Sequence, residues 1–543
     1  MPASDAMMLN LEAQMRSLLA AGEIQSVTLL GGLFCSLAPG GSKRSAVYIL
    51  YADALLAKSE FKRAIRYYAV AIACDDNPDE INVRLKMAKA MHALDDVEGA
   101  LHTLSAIPAK ARTLSVYMLL GKLYKAQGLA KLAEDAFKSV LAISPYAVEA
   151  SLALAEVSAV LEQDRPQGST AIASLYEAMH LPPTDAMWLP TLTLAHLHSA
   201  SHRHPLALDA FATLGRTFPS SLHCTLLRAM AHIELEQPEA ALSLFQRARQ
   251  LDATSAECMD VYAGVLKQSG HTMPLNNLVR ELFSLTEGCP EVWVAAAAYA
   301  ELKGDAASAL QLADRAVSVA PSFARGHLCR GHVLLQMGRP EHAVGAFTTA
   351  NQLAPSVAAF EGLVESFCDL CLKGVDKYLD AMTAARLALL LAPHSPRALV
   401  LLGTVLALRP ESRDKARRTF EKVLSLNPGA LRARFGLIDL FISDNNLPRA
   451  IAELEALVAK KPRDVLFAKL GDVYTMHREY AQALPAYHKA LSLNPAMAQA
   501  LHGLDRVEKL MRGEDPDAAL SSIQMDDTED VDDASDYHGT PNV

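Results

Sequence analysis

The densest group of side chains able to do chemistry is the run HLHSASHRH, which places His196, His198, His202 and His204 within nine residues. Neutral imidazoles can share a metal ion when they stand three or four residues apart on one helical face, and His198 with His202 alone meets that spacing. The repeat register described below puts the run at the end of one helix and in the turn after it, so solvated surface histidines are the expected reading. A second group is the CxxC of Cys368 and Cys371, whose sulfurs would share a helix face. No second pair stands where a zinc site would need it, and Cys35, Cys74, Cys224, Cys258, Cys289 and Cys329 are scattered. Two small apolar side chains in a reducing compartment are the expectation there. Asp95 and Asp96 fall at a turn and read as helix caps. The sequence contains no phosphate-binding loop, GxSxG, HExxH or DxDxDG motif. The expectation is a non-enzyme with no catalytic, cofactor-binding or metal-binding residues.

The composition points to what would position such residues. Apolar residues make up 51% of the 543 positions and aromatics only 6%, so Ala and Leu carry the hydrophobic share, which suits close-packed helices. Mean hydropathy is +0.12, yet no uninterrupted apolar run reaches the length of a membrane span. The first residues carry Asp5 and Glu12 without a basic stretch, and the expectation is a soluble, intracellular chain. From Gly513 onward there are ten acids and no Lys or Arg, and the formal charge of the whole chain is −10. The body is therefore near neutral, which argues against general nucleic-acid binding.

Self-similarity explains the length. Pro145, Pro183, Pro219, Pro321, Pro355, Pro393, Pro428, Pro462 and Pro495 recur at a period near 34, with one longer gap whose missing slots fall near Ala253 and Glu287. Reading back from Pro495 gives Ala490, Tyr487, Ala483, Tyr474 and Gly471; from Pro355, Ala350, Phe347, Ala343 and Gly331; from Pro145, Val140, Phe137, Ala133, Tyr124 and Gly121. The small residue lets a second helix approach the first, the ring fills the space toward the next hairpin, and the proline stops the second helix. This is the tetratricopeptide-repeat (TPR) pattern, and the predicted fold is an all-α solenoid of about thirteen helix-turn-helix units. The expected organisation is an N-terminal helical hairpin over 1–41 and a first array over 45–320. A second array over 321–495, a capping helix over 496–511 and a disordered acidic tail over 512–543 complete it.

Docking surfaces follow from the register. The concave face should be built from early positions of each first helix, with Arg325, His332, Arg397, Arg432 and Asp472 as groove candidates and Gly121, Tyr124, Gly331, Phe347, Gly471, Tyr474 and Tyr487 as repeat-packing residues. The first hairpin carries few charges where a terminal cap should be polar outside, which predicts self-association; Met8, Leu11, Met15 and Leu19 are the dimer-interface candidates.

Several segments carry more than the repeat consensus: YADALLAKSEFKRAIRYYAVAI (51–72), IPAKARTLSVYMLLGKLYKAQG (107–128), MDVYAGVLKQSG (259–270), EVWV (291–294), GHVLLQMGRPEHAVGAFTTANQLAPSVAAFEGLVESF (331–367), LLGTVLALRPESRDKARRTFEKVL (401–424) and TEDVDDASD (528–536). Together they resemble the seventh-subunit family of the anaphase-promoting complex, or cyclosome, over nearly the whole chain. The resemblance implies a superhelical scaffold that homodimerises through its N-terminal half. It also implies stacking on other TPR subunits of that ubiquitin ligase, nuclear and cytoplasmic location, and no catalysis. The join from Asp75 to Glu80 is short where vertebrate relatives carry a long Ser-rich insert. The alternative reading is a TPR adaptor or co-chaperone in another assembly, against which stands the lack of a Lys-x-x-x-Asn pair for gripping a C-terminal carboxylate. A glycosyltransferase with a TPR arm would need a catalytic domain for which repeats over 45–511 leave no room.

Overall fold

The computed structural model describes residues 2–37, 45–74, 79–162, 168–179, 182, 184–393, 395–460, 462–494 and 497–512. Among them the chain is all helix: twenty-nine α-helices, two short 3-10 turns and no strand. After the hairpin α1 (Pro2–Ala20) and α2 (Ile24–Leu37), the helices from α3 (Ser45–Ala57) to α28 (Tyr480–Leu493) pair into thirteen hairpins, and α29 (Ala498–Arg512) closes the series. The chain forms two compact units, Met1–Thr286 and Glu287–Val543, where the proline pattern had suggested a division at 320. Successive helices pack in chain order within each unit. The join at 75–78, Gly40 to Ser42, Pro183, Pro495 and the acidic tail from Gly513 lie outside the described residues.

The period-34 prolines do what their chemistry requires. Helices α18 (Ala306–Val319), α20 (Pro340–Leu353), α22 (Tyr378–Leu391) and α24 (Arg413–Leu426) each end two residues before Pro321, Pro355, Pro393 and Pro428. The two slots without proline behave alike, since α14 (Pro238–Leu251) and α16 (Thr272–Leu285) stop two residues before Ala253 and Glu287. The second hairpin differs. Its helix α6 (Val97–Ser105) stops three residues before Pro108, and a 3-10 turn, Ala109–Ala111, follows. In most of the described hairpins one turn residue adopts the left-handed conformation, as at Gly338 with φ +70°, where a side chain would be disfavoured.

The core is a chain of aromatic slots. Phe347, on α20, is fully buried between Gly331 of α19 (Ala324–Gln336) and Gly362 of α21 (Val357–Leu372). A Cβ on Gly331 would stand 2.7 Å from the ring, and one on Gly362 would also collide with it. Phe420 on α24 lies in the same way between Gly403 of α23 (Pro396–Ala407) and Gly436 of α25 (Leu431–Ser443), and Tyr487 between Gly471 of α27 (Asp464–Met476) and Gly503 of α29. In the first unit Gly121 of α7 (Leu114–Ala126) stands against Phe137 of α8 (Ala130–Ile143), where a Cβ would reach 2.6 Å. One ring thus joins its own hairpin to the next.

Where the ring is Tyr, the buried hydroxyl is satisfied from the flanking first helices, as burial demands. Tyr487 donates to Asp472 Oδ1 at 2.6 Å, while Gln499 on α29 donates to Asp472 Oδ2 at 2.7 Å. Tyr68 on α4 (Phe61–Ile72) donates to Asp53 of α3 at 2.6 Å, and Lys86 of α5 (Glu80–Ala93) reaches the other carboxylate oxygen at 2.7 Å. Tyr176 on α10 (Gly168–Ala178) lies 2.8 Å from Ser151 Oγ on α9 (Val148–Glu162) and 2.9 Å from Thr193 Oγ1 on α11 (Asp185–Ala200).

Adding one methyl inside a slot should be costly and adding it outside harmless. Gly362→Ala is expected to lower unfolding free energy by about 1–3 kcal/mol. Gly345→Ala on α20, where a Cβ meets nothing within 4 Å, should raise it by up to about 1 kcal/mol. Urea unfolding followed by circular dichroism separates the two, and equal effects would refute the slot account.

Candidate docking groove

The inner helices of the second unit enclose a groove of about 680 Å³, lined by residues of α19, α21, α23 and α25 with Phe420 behind them. Its lining mixes apolar surface from Val364, Leu401 and Phe435 with the carboxylates of Glu365, Asp369 and Asp439. Glu361, Glu365 and Asp369 stand at successive turns of α21, so one helix face carries three acids. Glu361 is buried, 6% exposed, and both Arg397 of α23, at 2.8 Å, and Arg432 of α25 pair with it. The carboxyl of Glu365 is raised above its ordinary range, first because surrounding protein removes water and second because Asp369 lies close. Asp439 accepts from Lys469 of α27 at 2.6 Å, and that ammonium stands 5.2 Å from the Phe435 ring. Such a surface complements a short segment bearing apolar and positively charged side chains.

The sequence-derived groove residues divide. Arg432 lines the groove, and Arg397 holds the same buried carboxylate from the next helix. His332 packs edge-on against Phe347 at 5.1 Å, Arg325 stands over Phe323 at 5.1 Å, and Asp472 is held by Tyr487 and Gln499. The acidic face of α21 escaped the sequence reading. Its signal is the i, i+4, i+8 spacing of acids in FEGLVESFCDL. Cys368 opens on the same groove, and burial with neighbouring Cys371, Asp369 and Glu365 pushes its thiol up to about 12, far from nucleophilic.

Of the packing residues, Gly121, Gly331, Phe347, Gly471 and Tyr487 form slots as described. Tyr474 is buried and donates to Glu455 of α26 (Leu447–Lys460) at 2.5 Å, while Tyr124 is half-buried. Among the dimer candidates, Met15 needs correction: it is fully buried in the chain's own core, because α1 turns it toward Val27 and Phe34. Leu11 and Leu19 are half-buried against the same cluster, and the side chain of Met8 lies outside the described positions. The outward apolar residues are Leu29 and Leu33 of α2, 71% and 63% exposed, one turn apart with exposed Gly32 between them.

The histidine run ends α11, crosses a turn in which His202 adopts φ +54°, and opens α12 (His204–Thr217). His196 lies 3.1 Å from His223 of α13 (Leu222–Glu234), Nε2 to Nε2, and edge-on to Phe211 at 5.6 Å. Among the described residues no group of three His, Cys, Asp or Glu side chains could hold a metal ion. Burial, with His223 adding to it, pushes His196 down to about 4. The folded state therefore binds fewer protons than the unfolded chain between about pH 6.5 and 4, so folding weakens as pH falls through that window. His196→Gln should remove roughly 2 kcal/mol of that loss. Parallel acid titrations of wild type and variant, followed by tryptophan fluorescence, test it; superimposed curves would refute the assignment.

The arrangement of paired helices, ring slots and an inner groove defines a TPR solenoid. Tetratricopeptide-repeat models match residues 55–123 and 407–470, 192–256, and 114–146. The structure shares its fold with the crystal structure of the APC/C hetero-tetramer Cut9-Hcn1, with a TM-score of 0.57 at 17% identity over 92% of this chain and 96% of that one. The chain is 32% identical over 441 residues to anaphase-promoting complex subunit 7 of Arabidopsis thaliana, covering 81% of this chain and 77% of that protein. It is 24% identical to anaphase-promoting complex subunit 7 of Dictyostelium discoideum, over 94% and 93% of the two chains. The chain belongs to the anaphase-promoting complex subunit 7 family. Among the described residues no helix is long and apolar enough to cross a membrane.

Proposed function

We propose that this chain is a non-catalytic scaffold subunit of the anaphase-promoting complex, binding that assembly's other TPR subunits and acting in the nucleus and cytoplasm. The observation that carries the reading is the 32% identity to the Arabidopsis subunit 7, sustained over 441 residues. The geometry supports it. Repeated hairpins place side chains on a long series of helices, so several modest contacts can add through multivalency. The groove within the second unit offers an apolar and acidic seat for a partner segment. Ubiquitin transfer chemistry belongs to other subunits in this reading. Affinity purification of the tagged chain from mitotic extract, with mass spectrometry, should recover the complex's other TPR subunits with its cullin–RING core. Recovery of chaperones in their place would support the adaptor reading.

Homodimerisation belongs to the same proposal and rests on α2. Leu29 and Leu33 project from a helix whose opposite face is anchored by Val27 and Phe34 in the core, and Gly32 would let a second backbone approach closely. Leu29→Asp with Leu33→Asp is expected to shift the molar mass from dimer to monomer in light scattering, at a melting temperature within a few degrees of wild type. A dimer surviving both substitutions would move the interface elsewhere.

A further inference from the structure

We propose that the acidic C-terminal segment of this chain, residues 526–536, docks on a basic ridge of α24 and occupies it in cis. The ridge is unusual in a near-neutral body. Helix α24 carries Arg413, Lys415, Arg417, Arg418 and Lys422 against Asp414 and Glu421. Arg413 and Arg417 are engaged by Asp444, the latter at 2.7 Å. Lys415, Arg418 and Lys422 share one outward face at i, i+3 and i+7, are exposed, and have no anionic partner among the described residues. Arg449 on α26, next to buried Ala450 as Lys415 is next to buried Ala416, is likewise exposed and unpaired, one hairpin nearer the C-terminus.

The same unit carries the complement. Asp526, Asp527, Glu529, Asp530, Asp532, Asp533 and Asp536 lie within eleven residues without a base among them, beyond the last described helix. Asp526 is fourteen positions past Arg512, and an extended chain of that length spans up to about 50 Å. Helices stack about 8–10 Å apart, so the hairpins between α24 and α29 amount to roughly 30 Å. The tether also holds the acids at an effective concentration near the millimolar range. Surface pairs of this kind are individually weak and screened by salt, so several must act together, and a more strongly anionic partner could displace the segment. The ridge is then a self-shielded surface rather than a permanently open one.

Zero-length carbodiimide cross-linking of the full chain, which joins lysine amines to carboxylates, tests the contact. The expected result is a set of links from Lys415 and Lys422 to residues 526–536. They should fall several-fold in ~0.5 M salt and also in Arg418→Glu, a substitution that leaves both lysines in place. The melting curve of that exposed-site variant should match wild type, which separates loss of docking from loss of fold. Equal parts of isotopically labelled and unlabelled chain, cross-linked after mixed species have formed, should give links within one isotope only. Links between isotopes would assign the ridge to a second copy's tail and overturn the proposal. It would also be overturned by an absence of links, or by links spread equally over other exposed lysines such as Lys110 and Lys131.

Discussion

Much of the second unit depends on aromatic rings, Phe347, Phe420 and Tyr487, each held between two helices that have no side chain where it lies. A ring is the largest apolar unit available, and glycine on both neighbours lets it fill the gap between hairpins without a void. Because the same ring touches its own hairpin and the next one, folding of a unit is a series of linked neighbour contacts. The tyrosine slots add a polar condition. Each buried hydroxyl has to find a partner, and Asp472 for Tyr487, Asp53 for Tyr68, and Ser151 with Thr193 for Tyr176 supply it from helices that the ring already joins. These residues tie hairpins together through the geometry of the slot.

The groove is a consequence of the same packing. With the second helices held outside by their rings, the first helices line the inner face, and α21 places three acids along it. Glu361 is stable there because two guanidiniums, from α23 and α25, converge on it; a lone buried carboxylate would be expensive. Glu365 and Asp369, one and two turns on, have no such pair of cations among the described residues and give the groove its negative character. The charge of the groove is thus separable from the charge of the outer ridge on α24, although both belong to one unit.

The terminal hairpin and the histidine turn show how local sequence is overruled by packing. Met15 and Leu29 are equally apolar, yet α1 buries the first and α2 leaves the second in solvent, since Val27 and Phe34 face the core. His196 owes its perturbed titration first to burial and then to His223, twenty-seven residues away and on another helix.

How much was legible can be judged from particular residues. Period, helix ends and slot residues are written in the sequence because each is a local requirement: proline cannot donate the next helical hydrogen bond, and only a small residue admits a ring at close range. That is why the slots at Gly121, Gly331 and Gly471 could be read without coordinates, along with the family that the longer motifs resemble. The partners of Glu361, the commitment of Asp472 to Tyr487, and the outward turn of Leu29 could not. Each is set by which residue of one hairpin meets which residue of the next, a register that depends on packing angles between helices rather than on spacing within them. The sequence alone determined a repeating helical scaffold and its kinship; tertiary structure alone decided which charges are buried, which are paired, and which face outward.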